Sequence, residues 1–386
     1  MKRTVKGLYH LIASALLYGL VIAAAWIGWI FQTLPDAKLI TTYRPEQATE
    51  VLDRNGIVIT PLSDTEFRIW APLADISPNL QMAVIAAEDD TFFFHEGINY
   101  KAAWDALKED LKKKRYARGG STITQQLVKN VFLSKEKTIT RKVKEALLAY
   151  RVERLLSKHR ILELYLNEVE WGPGVYGAEA ASRYFFDKHA AALTVSESAL
   201  LAAMLVNPKR FDPGTRYERL KQRQERILDL MRVGRLITRE EYDGAAAAPI
   251  SFRHEKAARF SISAESCPLR LFKTAMVGIY GEERLYHAGK KIRTTLDAGL
   301  QEYVREQVAQ LPDRMITRGR PARPDAPSGL LIAEQDGEIL AMDCVYGSEE
   351  AAQAVELLKG LEPDSRRAYR VVAPPQIAWR RLLARS

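Results

Sequence analysis

The chain is 386 residues long, 47% hydrophobic and 27% charged, a globular composition with length for about two domains at the usual ~100–200 residues each. Its net charge of +9 calls for an anionic partner, such as nucleic acid, an anionic membrane or a diphosphate lipid. No zinc-type Cys/His spacing and no nucleic-acid signature with interleaved aromatics is present, which sets nucleic acid aside. The two cysteines, Cys267 and Cys344, lie far apart and outside any C-x-x-C arrangement, so metal binding and dithiol chemistry are not expected. They read as buried small apolar side chains, with pairing open to them only in an extracytoplasmic domain.

Residues 8–31 are apolar and free of Asp, Glu, Lys and Arg, and a run of about 20 such residues spans the hydrocarbon core of a bilayer. Lys2, Arg3 and Lys6 precede it, which holds the N-terminus in the cytoplasm and sends the rest of the chain across; Tyr9, Trp26 and Trp29 lie near its ends. A cleaved signal peptide is the rival reading, since Ala23-Ala24-Ala25 supplies small residues, but the apolar run continues through Trp26-Ile27-Gly28-Trp29-Ile30-Phe31. A polar connector follows at 34–44. Residues 50–59 read as a hairpin about Asn55-Gly56. Ser77-Pro78 then opens a helix, with Ser as cap and Pro where its missing N–H costs nothing, and that helix runs into Glu88.

From there to Gly244 the pattern is almost wholly helical, with helices predicted at 101–116, 121–133, 139–156, 158–170, 175–186, 195–206, 215–233 and 239–248. Thr194-x-x-Glu197 and Thr238-x-x-Glu241 form reciprocal capping arrangements, and Gly234 sits where a left-handed residue would end a helix. Gly172-Pro173-Gly174 interrupts the run. After Pro249 the composition shifts: mixed periodicity to about Gly289, a helix ending at Leu311, a Pro- and Arg-rich linker at 312–327, and a second hairpin about Asp336-Gly337. The last stretch, with Arg366-Arg367 and Arg380-Arg381, is basic. The expected division is 1–33 as cytoplasmic tip and anchor, 34–248 as a helical domain, and 249–386 as a smaller α+β region.

Four polar clusters succeed one another in the helical part. They are Glu88-Asp89-x-x-Phe92-x-x-His95-x-Gly97; Gly119-Gly120-Ser121-Thr122-Ile123-Thr124-Gln125-Gln126-Leu127-x-Lys129-Asn130; Arg141-Lys142-x-x-Glu145; and Lys158-x-x-Ile161-Leu162-Glu163-x-Tyr165-Leu166-Asn167. Each has a plain structural explanation when taken alone. Glu88-Asp89 is a helix end, Gly-Gly-Ser-Thr a helix cap, and Arg141, Lys142 and Glu145 an exposed ion-pair turn at i,i+3 and i,i+4. Together they supply two separated carboxylates, a group of cations and a donor-rich helix start. A sugar transfer that releases a diphosphate needs a base for the attacking hydroxyl and cations for the leaving group. Glu88 lies beside Phe92, Phe93 and Phe94, where partial burial would raise its pKa toward a value suited to proton abstraction. Free N–H groups and hydroxyls at the Ser121-Thr122 helix start can receive a phosphate or sugar oxygen.

In these motifs the chain resembles the peptidoglycan glycosyltransferase family, the lysozyme-like polymerising module of bifunctional penicillin-binding proteins and of monofunctional transglycosylases. The resemblance covers about residues 51–231, with all five family motifs in order, the fifth being Glu197-x-Ala199-Leu200-Leu201-Ala202. It implies a mainly α, lysozyme-like fold behind the transmembrane helix, and polymerisation of lipid II into β-1,4-linked glycan with release of undecaprenyl diphosphate. The enzyme would work on the periplasmic side of the bacterial inner membrane, with the membrane and other wall-synthesis proteins as partners. By the same resemblance Glu88 is the general base and Glu145 the second functional carboxylate. Lys129, Arg141 and Lys142 would hold diphosphates, and Asp89, Phe92, His95, Gly120, Ser121, Thr122, Gln125, Gln126 and Asn130 complete the substrate site. No motif requires a cofactor; a divalent cation, Mg or Mn, bridging the diphosphate belongs to what the resemblance implies, without a ligand motif to support it.

His95 is read as orienting the Glu88 segment, the 158–167 helix as scaffold, and Glu197 as a capping residue outside the site. The region from Thr294 to Met342 resembles the opening of a transpeptidase domain, but the Ser-x-x-Lys, S-x-N and K-T-G elements are absent from it, so no peptide cross-linking or β-lactam capture is expected. Two other readings compete. A lysozyme-like hydrolase would also use paired carboxylates, though it has no diphosphate to release. A non-catalytic recruiter of wall enzymes would not need both Glu88 and Glu145.

Overall fold

A computed structural model describes residues 2–56, 58–62, 66–113, 120–134, 136, 138–208, 213–250, 267–286, 289–309, 329–336, 338–345 and 368–372. Gly119, Gly337, the 312–327 linker and the basic pairs Arg366-Arg367 and Arg380-Arg381 lie outside these residues.

Helix α1 (Lys2–Gln32) is long and apolar enough to cross a membrane. Residues 14–29 are exposed along it, whereas Ile30 is buried, so the end of the helix is docked on the rest of the chain. The connector is not a featureless tether: a 3-10 turn at Ala37–Thr41, capped by Asp36 accepting from the Lys38 N–H, buries Ala37 and Ile40 in the main core.

Helices dominate the described residues, as expected. α2 (Pro78–Glu88) starts on Ser77, whose hydroxyl accepts from the Asn79 N–H with Pro78 in the first turn. α3 (Tyr100–Lys113), α4 (Ile123–Phe132), α5 (Ile139–Glu153), α6 (Lys158–Glu168), α7 (Ala178–Phe186), α8 (Val195–Met204), α9 (Pro213–Val233) and α10 (Arg239–Ala247) come next along the chain. α8 is buried on all sides against α2 and α9, consistent with a ten-residue helix of almost wholly small and apolar composition. Both predicted capping boxes form, at Thr194 with Glu197 and at Thr238 with Glu241. The left-handed residue after α9 is Arg235 (φ 58), not Gly234, because the Gly234 N–H still continues the helix by donating to the Leu230 carbonyl.

Helix was expected from 175. The chain instead forms β4 (Glu170–Gly172) and β5 (Val175–Tyr176), and α7 begins only after Gly177. Gly172-Pro173-Gly174 closes them into a hairpin, with Gly174 at φ 73, and β3 (Phe67–Arg68) joins β5 in parallel.

A second core forms around the C-terminal region. β1 (Thr49–Leu52) and β2 (Val58–Leu62) make the predicted hairpin, and β1 also pairs in parallel with β6 (Lys291–Arg293). β7 (Gly329–Gln335) pairs with β8 (Glu338–Val345) and with β9 (Ala368–Val372), both antiparallel. Val51, Ile59 and Leu62 pack with Phe272 and Met276 of α11 (Cys267–Tyr280), Ile292, and Ile332 and Met342 of the β7–β8 hairpin. α12 (Glu282–Tyr286) and α13 (Ala298–Ala309) complete this unit, and Gln301 of α13 clasps the Met342 backbone through both ends of its amide. Cys344 is buried, as the sequence suggested, and disulfide-bonded, the alternative left open there for an extracytoplasmic domain.

Candidate active site

Glu88 is the last residue of α2, and Asp89 breaks the helix with an extended φ of −164° that turns its side chain inward. The Asp89 carboxylate accepts from the Ile123 N–H at 3.0 Å, a negative group at the positive start of α4, and from His95 Nε2 at 2.9 Å. His95 Nδ1 accepts from the Gly97 N–H at 3.1 Å, so the proton of the neutral ring sits on Nε2 and points at Asp89. Gly97 is at φ 86, and a Cβ there would lie 2.8 Å from the backbone C and O of Ala149 in α5. Only glycine lets this turn approach α5 so closely. The Gly97 carbonyl then accepts from Thr122 Oγ1 at 2.7 Å. In this way Asp89, His95 and Gly97 tie the end of α2 to α4 and α5.

Glu88 itself is left half-buried at a cleft of about 210 Å³, whose lining includes Asp89, Asn99, Gly120, Ser121 and Thr122. Gln126 Nε2 donates to Glu88 Oε2 at 2.8 Å, and the buried Tyr165 hydroxyl donates to Gln126 Oε1 at 3.2 Å, fixing which way the amide faces. Burial pushes the Glu88 carboxyl above the ordinary carboxylate range, opposed by the Gln126 bond and by the charges of Arg223 and Lys129. Arg223, on α9, escaped the sequence reading. Its Nε donates to the Ala203 carbonyl, and only the packing of α9 against α2 brings it to Glu88; nothing in its helical context announces this.

The cations gather on the other side of Ser121. Glu145, buried in α5, is paired with Arg141, and Lys142 Nζ donates to its second oxygen at 2.9 Å. Lys142 Nζ also donates to Ser121 Oγ at 2.8 Å. Ser121 thus belongs to the Glu88 cleft and to the cation group at once. Arg141 Nε is buried without a hydrogen-bond partner among the described residues. The Lys129 ammonium carries no hydrogen bond or ion pair among them; burial holds it below the usual lysine range, and the charges of both Glu145 and Glu88 act on it in the opposite sense. A desolvated ammonium lying in the field of both carboxylates is a ready partner for an incoming anion.

Several predicted residues are placed for support. Thr122 and Gln125 cap α4 reciprocally, and with Asp89 on the Ile123 N–H the donors of Thr122, Ile123 and Gln125 are already engaged, so the helix start is less open to a ligand than the sequence suggested. Phe92 is fully buried beneath Lys158, and Asn130 is exposed at the end of α4. Lys158 Nζ donates to the His95 carbonyl and to Glu153, which also accepts from Thr124. Asn167 and Glu163 clasp the backbone of Ala71 and Leu73. Glu197 caps α8 and receives Lys188, which fits the capping role assigned to it.

The profile of the family described as Transglycosylase matches residues 55–232. The "Biosynthetic peptidoglycan transglycosylase" of Nitrosomonas eutropha is 44% identical over 189 residues, 48% of this chain and 77% of that protein. The protein of the same description from Chromobacterium violaceum is 48% identical over 167 residues, 42% of this chain and 73% of that one. "Penicillin-binding protein 1A" of Aquifex aeolicus is 36% identical over 310 residues, 80% of this chain; the chain spans 41% of the length of that relative.

Proposed function

The chain belongs to the peptidoglycan transglycosylase family, and from that membership we propose that it polymerises lipid II into β-1,4-linked glycan at the periplasmic face of the inner membrane. The observation that carries this reading is the half-buried Glu88 in a cleft also lined by Ser121, whose hydroxyl accepts from Lys142 of the cation group, with Lys129 in the field of both Glu88 and Glu145.

The 4-hydroxyl of the incoming sugar enters the cleft and gives its proton to Glu88, whose raised pKa makes it a stronger base than an exposed carboxylate. The hydroxyl oxygen bonds to the anomeric carbon of the lipid-linked chain from the face opposite the diphosphate, and the anomeric C–O bond to that diphosphate breaks with inversion. Lys129, Arg141 and Lys142 meet the charge that builds on the departing diphosphate. Lys129 regains, from that charge, what burial takes from its ammonium. Glu145 holds Arg141 and Lys142 in place, while Gln126 and Tyr165 fix the Glu88 carboxylate. Both Glu145 oxygens are engaged by cations, and among the described residues no group of three His, Cys, Asp or Glu side chains is placed to hold a metal by protein ligands alone. No step is therefore assigned to a metal.

The span of α1 supports an anchor at 1–33, which confines the enzyme to the surface that holds its lipid substrate. The Cys344 disulfide supports an oxidising, extracytoplasmic setting for the chain beyond the anchor. Within this reading 34–248 is the transferase and 249–386 a transpeptidase-like region that shares a core with the 49–62 hairpin and offers a surface to other wall-synthesis proteins. Incubation with labelled lipid II and with preformed glycan tests the assignment. Lengthening glycan is the expected result; shortening of preformed glycan without polymer would make the protein a hydrolase instead.

A further inference from the structure

We propose that the outer face of α5 carries a binding site for the phosphate of an anionic glycerophospholipid, formed by Lys144 and Arg151. The site rests on the reading of α1 as a membrane span and is separate from the chemistry at Glu88.

The position of these two cations is set by how α1 ends. Lys144 Nζ donates to the Thr33 carbonyl at 3.1 Å and lies 5.1 Å over the Trp29 ring. Arg151, two turns further along α5, lies 6.0 Å over the Phe31 ring. Trp29 and Phe31 are half-exposed at the end of the apolar run, where the hydrocarbon core of a bilayer gives way to its headgroup layer. Ile30 between them is buried, and the 3-10 turn at Ala37–Thr41 that follows this exit contacts α5. The two cations are thereby held at the depth of lipid phosphates.

Their charges are uncommitted. Neither Lys144 nor Arg151 has a carboxylate partner among the described residues. The acids flanking them on α5 are engaged elsewhere, Glu145 by Arg141 and Lys142 and Glu153 by Lys158 and Thr124, while Asp36 beyond the end of α1 accepts from the Lys38 N–H. The aromatic rings beneath the two cations keep water from one side, and a lipid phosphate can meet them from the other. Arg141 and Lys142 lie only about 3–5 Å of helix rise before Lys144 on the same rigid α5. A lipid held at Lys144 and Arg151 thus sets the depth at which the diphosphate-binding cations stand.

Electron spin resonance of spin-labelled phosphatidylglycerol and phosphatidylcholine in bilayers carrying the full chain tests this. The parent should select phosphatidylglycerol, and K144Q/R151Q should lose roughly fivefold of that selectivity per cation removed, the size of effect of a Lys or Arg at an anionic surface. The Lys2, Arg3 and Lys6 tip contributes equally to both forms. The conservative pair K144R/R151K should keep the selectivity, and circular dichroism should show all three forms folded. Equal selectivity in the parent and K144Q/R151Q would overturn the phosphate site alone. Absence of motionally restricted lipid of either kind would overturn the anchor reading beneath it.

Discussion

Replacing Glu145 by glutamine tests how the cation group is held together. The Glu145 side chain is 3% exposed and bonds Arg141, 17% exposed, and Lys142, 46% exposed. A charge-assisted hydrogen bond contributes about 1.5–3 kcal/mol when desolvated, and removing one partner of a buried pair costs about 3–5 kcal/mol. Solvent already screens Lys142, so the upper part of that range does not apply. The glutamine keeps one acceptor but turns an amide N–H toward the second cation, and Lys129 loses a counter-charge. We expect a loss of about 2–4 kcal/mol. For a unit of roughly 200 residues this lowers Tm by roughly 5–15 °C. Thermal unfolding by circular dichroism measures it, with and without inorganic pyrophosphate. Because the variant leaves three cations short of negative charge, pyrophosphate should raise its Tm more than that of the parent. An unchanged or higher Tm, or equal pyrophosphate effects, would refute the view that Glu145 organises these cations.

Gly97→Ala should destabilise by about 2–5 kcal/mol, from the left-handed backbone and the contact with Ala149, read as a drop in denaturation midpoint. The acid limb of the pH–rate profile should lie above the ordinary carboxylate range, since Glu88 acts ionised and burial raises its pKa; Arg223→Gln removes a charge that lowers that pKa and should move the limb to still higher pH. Glu88→Gln should raise stability at neutral pH. Because the folded pKa lies above the unfolded one, the protonated native form is favoured at low pH and that contribution is lost as pH rises through the folded pKa, leaving the ionised carboxylate at a cost that glutamine escapes. The gain, read as Tm, should vanish toward about pH 4, below the unfolded pKa.

Local signals carried most of the helical fold into the sequence. Ser77-Pro78, Thr194-x-x-Glu197 and Thr238-x-x-Glu241 form the predicted caps because each involves neighbours within one turn. The same Thr-x-x-Gln pattern at Thr122 and Gln125 was legible too, but its polar groups read equally well as ligand contacts, and only the structure shows them turned on each other. What escaped is tertiary. The parallel pairing of β1 with β6 joins residues some 240 apart, and Arg223 and Tyr165 reach the Glu88 region only through helix packing. The short β4–β5 hairpin was hidden because residues 175–186 carry an apolar pattern compatible with helix, and Gly177 at φ 85 resets the chain after two residues of strand.

The most direct measurement is the rate of lipid II polymerisation by the parent and by Glu88→Gln, the variant confirmed as folded by circular dichroism. A lost general base should slow glycan formation by about 10²–10⁴-fold, equivalent to about 3–5 kcal/mol of barrier, with the protein at least as stable as the parent. Polymer formed at the parental rate by Glu88→Gln would contradict the assignment of proton abstraction to this carboxylate.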